Sequence, residues 1–192
     1  MSSLKPEDDP TISWKLPAHR AGVSRPQSGD RRKVASSKRW WGDVAPAVTL
    51  ALRYVQAGVR SRQNVVTYLR RRGVAADSAN RAVTALCTRG LLDDRTGARL
   101  WADHWARRGY ARMAIRLKLA ARGFDDEIVD HAIARLGISG DDEARAREVA
   151  ARFGHARAGR SERTRAARTL AARGFDPDLI EQVLNESFDP LD

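Results

Sequence analysis

One cysteine, Cys87, among 192 residues excludes an internal disulfide and fits a reducing compartment. No apolar run approaches the roughly 20 residues that span a bilayer, so no transmembrane helix is expected. Met1 to Pro10 is polar and acidic and has no hydrophobic stretch of the signal-peptide kind, which makes the cytoplasm the expected address. The four histidines, His19, His104, His131 and His155, are scattered, and with a lone cysteine they offer no zinc-ligand spacing. A glycine-rich loop ending in Gly-Lys-Ser/Thr is missing, which removes P-loop nucleotide hydrolysis. The acidic pairs Asp93-Asp94, Asp125-Asp126 and Asp141-Asp142 each stand before a helical stretch, where capping and the helix dipole explain them without a metal. His131 beside Asp130 reads as a surface pair on a helix. The chain is therefore expected to be no enzyme, with no catalytic residues, no cofactor and no metal.

What the chain has in excess is positive charge. Lys and Arg number 35 against 24 Asp and Glu, a formal charge of +11 carried mostly by arginine. Such a balance favours polyanions or acidic protein surfaces as partners. Arg-rich, Ala-rich composition also follows from GC-rich codon usage, so charge alone names no partner.

The chain also repeats itself. Gly73, Gly123 and Gly174 stand 50 and 51 residues apart, each preceded by an arginine (Arg72, Arg122, Arg173) and, four positions back, by a leucine (Leu69, Leu119, Leu170). Four further back come Val65, Ile115 and Ala166, which completes one buried stripe of a 3.6-period helix. Glycine just past the last turn takes the left-handed conformation that closes a helix. Apolar residues then return at helical spacing, as Ile128, Val129, Ala132 and Ile133, and as Leu179, Ile180, Val183 and Leu184. Asp176 and Pro177 are the N-cap and first helical residue of the latter. The first copy is weaker, with Ser78, Ala79, Ala82 and Val83 in those places.

With no period-2 stretch anywhere, the chain reads as all-α: three tandem three-helix repeats of about 50 residues, elongated and curved, after a disordered basic arm. The boundaries expected are 1–42 for the arm and 43–92, 93–139 and 140–192 for the repeats. Expected helices cover Ala47 to Ala57, Ser61 (as cap) to Arg72, Asp77 to Thr88, Thr96 to Arg108, Arg112 to Arg122 and Asp126 to Leu136. Asp141 to Phe153, Ser161 to Arg173 and Pro177 to Asn185 complete the set. The arm carries Pro6, Pro10, Pro17 and Pro26 and the cations Arg31, Arg32, Lys33, Lys38 and Arg39, with too little apolar surface to offset its ordering entropy. Trp40 and Trp41 beside that run either stack on a base or, the preferred reading, dock the arm on the first helices.

Candidate binding residues come from the arginines. Arg62, Arg112 and Arg163 each lie eleven positions before a repeat glycine, which puts equivalent cations on equivalent helices. An arginine there is also at the margin of the apolar stripe, where it lays its stem on the core and exposes its head. The arginine before each glycine reads as a capping group for the last carbonyls. In the middle repeat Arg107, Arg108, Arg112, Arg116 and Lys118 form a run with Tyr110 and no intervening acid, and a binding edge is placed there first.

Several strings together resemble the regulatory protein RecX family: Leu52-Arg53-Tyr54 to Arg60-Ser61-Arg62, Gly90-Leu91-Leu92-Asp93-Asp94, and Trp105-Ala106-Arg107-Arg108-Gly109-Tyr110 followed by Leu119-Ala120-Ala121-Arg122-Gly123-Phe124-Asp125. The similarity runs from about Val44 to Ser187 and is most specific from Gly90 to Asp126. Thr96-Gly97-Ala98 departs from the bulkier stretch usual after Asp-Asp, and the long arm is an extension. The resemblance implies a modulator, usually an inhibitor, of the RecA recombinase, and the chain is expected to be a monomer. Such a protein binds in the groove of the RecA filament on single-stranded DNA, without base preference, and reduces ATP hydrolysis and strand exchange. The competing reading is a DNA-binding transcriptional regulator built from helix-turn-helix-like units.

Overall fold

The structure, a computed structural model, describes residues 44–136, 141–153 and 159–188. The arm at 1–42, with Trp40, Trp41 and its basic run, lies outside the described residues, as do His155, Gly137 and Gly154. Among the described residues there are nine helices and no strand, which agrees with the all-α reading. They are α1 (Ala45–Gln56), α2 (Arg62–Arg71), α3 (Ala76–Thr88), α4 (Asp94–Arg107), α5 (Arg112–Ala121), α6 (Asp126–Ala134), α7 (Asp142–Ala151), α8 (Arg160–Ala172) and α9 (Pro177–Phe188).

Local chemistry explains the ends. Asp93 caps α4, its carboxylate accepting from the Arg95 amide at 3.0 Å and the Thr96 hydroxyl at 2.6 Å. The helix therefore starts at Asp94, two residues before the expected Thr96. Asp141 and Asp176 act likewise, accepting from the amides of Glu143 at 3.1 Å and Asp178 at 2.9 Å. Asp125 holds the N-cap position of α6 but its side chain makes no capping bond, so this acid contributes through the helix dipole alone. At its C-terminal end α9 runs to Phe188, past the expected Asn185, because the Phe188 ring is buried.

The three repeat glycines stop their helices as expected, with φ of +83°, +73° and +80°. Each makes the paired bonds of a Schellman closure. In the first copy Gly73 N–H donates to the Arg70 carbonyl at 3.0 Å and Val74 N–H to that of Leu69 at 3.1 Å. In the others Phe124 and Phe175 donate to Leu119 and Leu170 at 3.4 and 3.3 Å. The leucine of the motif thus has two roles, since its side chain is fully buried and its carbonyl receives the closing amide.

The chain divides into two compact units: one holds the described residues up to Arg60 with Asn64–Leu92, the other Ser61–Gln63 with the described residues from Asp93 onward. The first has a core of Ala47, Ala51, Val65, Leu69, Ala79, Ala82, Leu86 and their neighbours. In the second, one core joins Ala146, Val149, Ala166, Leu170, Phe175, Val183, Leu184 and Phe188, with Ala111 reaching into it from the start of α5.

Within the second unit, helix starts are closed by residues far along the chain. Ala111, the N-cap of α5, offers no side-chain acceptor. The Arg112 amide instead donates to the Asp142 carboxylate at 3.0 Å, and the Ala111 amide to the Arg173 carbonyl at 3.0 Å. The same pattern recurs at Ser61–Gln63, where the Arg62 amide donates to Asp94 at 2.9 Å and the Ser61 hydroxyl to the Arg122 carbonyl at 2.7 Å. Orphan amides at a helix start need such acceptors. A Cβ on Gly174 would lie 2.7 Å from that of Ala114, and one on Gly123 only 2.9 Å from Gln63 Oε1. These glycines therefore permit a close approach as well as a left-handed turn; Gly73 has nothing within 4 Å.

Candidate functional site

Aromatic rings and cations alternate at corresponding places in the two units. In the first, Tyr54 and Tyr68 stack with centroids 4.1 Å apart and planes within 4°. Arg60 lies 4.6 Å over Tyr54, and Arg72 lies 5.3 Å over Tyr68. In the second, Trp101 and Trp105, one helical turn apart on α4, stack at 5.1 Å. Arg122 covers them at 3.8 and 4.9 Å, and the Lys118 ammonium sits 4.5 Å over Tyr110 and 5.8 Å over Trp105. Five positions before the glycine stands Tyr68 in one copy and Lys118 in the other; thirteen before, Arg60 and Tyr110. Ring and cation have exchanged places while the alternation stays. In the third copy those positions hold Thr169 and Ser161, and Arg173 behaves differently. Its Nη1 is buried without a hydrogen-bond partner, close to Gly109 and Val149; burial, then the charge of Arg152, holds this guanidinium below its ordinary range. The side chains of Arg72 and Arg122 are thus found on ring faces, worth about 0.5–2 kcal/mol each according to exposure.

The run from Arg107 to Lys118 is divided by the fold. Arg107 and Arg108, at the end of α4, are exposed, with no ion pair among the described residues. Arg112 turns its guanidinium to the Ile133 carbonyl, with Nη2 donating at 3.3 Å. Arg116 pairs with Asp130 of α6, which raises the guanidinium above its ordinary value through that hydrogen bond and charge. Lys118, about 200° round α5 from Arg116 at 100° per residue, belongs to the aromatic stack instead. Arg62 is exposed at its side chain, and Arg163 Nη2 donates to Asn185 Oδ1 at 2.6 Å. The outward face of α5 carries two large apolar side chains one turn apart, Met113 and Leu117, 62% and 63% exposed.

Among the described residues no group of three or more His, Cys, Asp or Glu has the arrangement of a metal site, and no helix is long and apolar enough to cross a membrane.

Comparison with known proteins supplies the context. Residues 141–184 match the family model described as RecX, third three-helix domain. The chain is 27% identical over 134 residues to the regulatory protein RecX of Streptomyces coelicolor, covering 66% of this chain and 70% of that one. It is 32% identical over 104 residues to the regulatory protein RecX of Mycobacterium marinum, covering 54% and 60%. In structure it is similar to RecX from Lactobacillus salivarius, with a TM-score of 0.58 and 21% identity over 76% of this chain and 96% of that one. In sequence and in fold the chain is similar to the RecX family. A second RecX crystal structure agrees on the fold, with a TM-score of 0.59 at 15% identity over 83% of this chain and 80% of the other.

The fold also assembles a basic cluster on α4 and α6. Arg95, Thr96 and Arg99 of α4 and His131, Ala132 and Arg135 on and just after α6 line a cleft of about 140 Å³. A wider hollow of about 330 Å³ continues from it past Arg95 and His131 to Glu127, Ile128 and Asp130. Buried small residues, Ala98 and Ala102 on α4 and Ala132 on α6, let the two helices come close enough for the cations to face one opening. The available signal was a pair of i, i+4 spacings, Arg95 with Arg99 and His131 with Arg135, on two helices of one repeat.

Proposed function

We propose that this RecX-like chain modulates the RecA recombinase, in the inhibitory sense. It binds, as a monomer, in the groove of the RecA filament on single-stranded DNA and lowers ATP hydrolysis and strand exchange. The observation that supports this reading is the outward face of α5. Met113 and Leu117 project into solvent from a helix whose other large apolar residues, Ile115 and Leu119, are fully buried. The exposed cations Arg107 and Arg108 lie just ahead of that helix. An exposed apolar stripe beside unpaired cations suits a protein surface carrying carboxylates, as a filament groove lined by subunits offers. In this reading Arg107, Arg108 and Lys118, with Arg112, Arg116, Arg62 and Arg163 further out, supply the electrostatic part. The binding act itself is the function; no bond is made or broken, and no cofactor takes part.

The deciding experiment is DNA-dependent ATP hydrolysis by RecA titrated with the purified protein. Inhibition at or below equimolar ratio to recombinase is expected. No effect over a broad titration, or selective capture of one duplex sequence over others, would remove this reading and favour the transcriptional regulator.

A further inference from the structure

We infer that the cleft between α4 and α6 is a phosphate-binding site that takes the sugar-phosphate backbone of a nucleic-acid strand. This deepens the proposed function by naming which surface meets the DNA; the inference rests on that reading only for the identity of the strand.

Four cations of the second unit's helices have carboxylate partners, Arg116 with Asp130, Arg145 with Asp142, Arg147 with Glu143 and Glu186, and Arg152 with Glu148, while Arg163 donates to the Asn185 amide oxygen. Arg95, Arg99 and Arg135 are exposed, and among the described residues none of their guanidinium groups has an ion pair or hydrogen bond. Yet all three line one cleft, together with His131 of α6. Three like charges lining one small opening focus a positive potential there, which raises the local concentration of anions. The acids nearby do not serve. Asp93 is engaged by the Thr96 hydroxyl and the Arg95 amide, Asp130 by Arg116, and Glu127 borders only the neighbouring hollow.

Size and chemistry select the anion. At roughly 30 Å³ per water, 140 Å³ holds four to five waters, room for one phosphate group, and the adjoining hollow of about 330 Å³ leaves space for the rest of the strand. Guanidinium groups match phosphate oxygens in pairs, and the imidazole N–H adds a donor. No Phe, Tyr or Trp lines the cleft, and its one ring is the His131 imidazole. The contact is therefore with backbone and carries no sequence preference. The site is separate from the α5 face, whose apolar residues suit protein.

The test measures binding of a fluorescein-labelled oligothymidylate to the full chain by anisotropy over a salt series, with no recombinase present. Arg95→Gln/Arg99→Gln/Arg135→Gln should weaken binding at least tenfold. It should also flatten the slope of log affinity against log salt by about 2, at roughly 0.7 per lost single-strand phosphate contact. Arg95→Lys/Arg99→Lys/Arg135→Lys should retain the slope. The control Arg160→Gln/Arg165→Gln/Arg168→Gln, with the same change of charge on exposed α8 positions, should shift affinity less than threefold. An unchanged slope in the first variant, or an equal loss in the control, overturns the site. Inorganic phosphate that perturbs the His131 ring resonances at low millimolar concentration, with oligonucleotide affinity untouched by the Gln variant, would also overturn it in favour of a small phosphorylated ligand. Since RecA is absent, none of these outcomes depends on the inhibition proposed above.

Discussion

The main-chain amide of Arg112 is held by the carboxylate of Asp142, at 3.0 Å to Oδ1 and 3.3 Å to Oδ2, and the same carboxylate pairs with the guanidinium of Arg145, which is only 5% exposed. One side chain thus closes the start of α5 and balances a buried charge on α7. Asp142→Ala should lower stability by roughly 2–4 kcal/mol, the sum of a lost cap and an uncompensated cation. Asp142→Asn retains an acceptor for the amide but not the charge, and should recover part of that loss. Urea unfolding followed by circular dichroism measures both; equal stability of the Ala variant and the wild type would show that the contact is ornamental.

Adjacent acids at the start of α4 respond oppositely to pH. Burial is the main influence on Asp94 and lifts its carboxyl above the ordinary 3.8, against the pull of the Arg62 amide. Such a group binds its proton more tightly folded than unfolded, so its contribution falls as pH climbs from about 3.8 through the raised value. Asp93 is held below 3.8, chiefly by the Thr96 hydroxyl; its contribution is present above that value and lost as pH falls through the lowered one. Asp94→Asn, which keeps an oxygen for Arg62, should match or exceed wild-type stability at pH 7 and lose that advantage below about pH 4. Asp93→Asn should be less stable than wild type at pH 7. Melting temperatures across pH 3 to 7 separate the two.

The glycines can be ranked. Gly73→Ala meets no neighbour and should cost only the left-handed strain, about 1–2 kcal/mol. Gly174→Ala has the same backbone but brings a methyl within 2.7 Å of Ala114 Cβ, and should cost roughly 1–3 kcal/mol more. Adding Ala114→Gly to Gly174→Ala should relieve part of that excess, although the new helical glycine itself costs about 1 kcal/mol. Equal losses at positions 73 and 174 would mean that the approach relaxes without penalty.

The α5 face is testable without disturbing the fold. Leu117→Glu and the pair Arg107→Glu/Arg108→Glu change exposed side chains and should leave helicity and melting temperature within experimental scatter. Both should raise the concentration needed for half-inhibition of RecA at least tenfold. Wild-type inhibition by both variants would move the binding edge elsewhere.

What the sequence made legible was everything with a local cause. The glycine period located three helix ends to within a residue, because a left-handed stop and a buried leucine four positions earlier are both written within one turn. The cap at Asp176 and its proline were legible for the same reason. The five-cation run was not, because the absence of an acid between Arg107 and Lys118 says nothing about Asp130, which α6 brings across to Arg116. The Arg95–Arg135 cleft was hidden by the same cause in reverse, since each half is an unremarkable pair of charges until α4 and α6 lie together. Asp94 and Asp142 were read as caps for their own helices, whereas their carboxylates reach Arg62 and Arg112, some 30 residues back.

That reach has a consequence for synthesis. When α5 leaves the ribosome, neither the carboxylate of Asp142 nor the carbonyl of Arg173 has yet emerged, so the first turn of α5 waits with its amides bonded to solvent. The later residues must emerge before the earlier helix is sealed, and a released fragment that ends ahead of Asp142 should be cut by protease at residues 109–114 sooner than within α4.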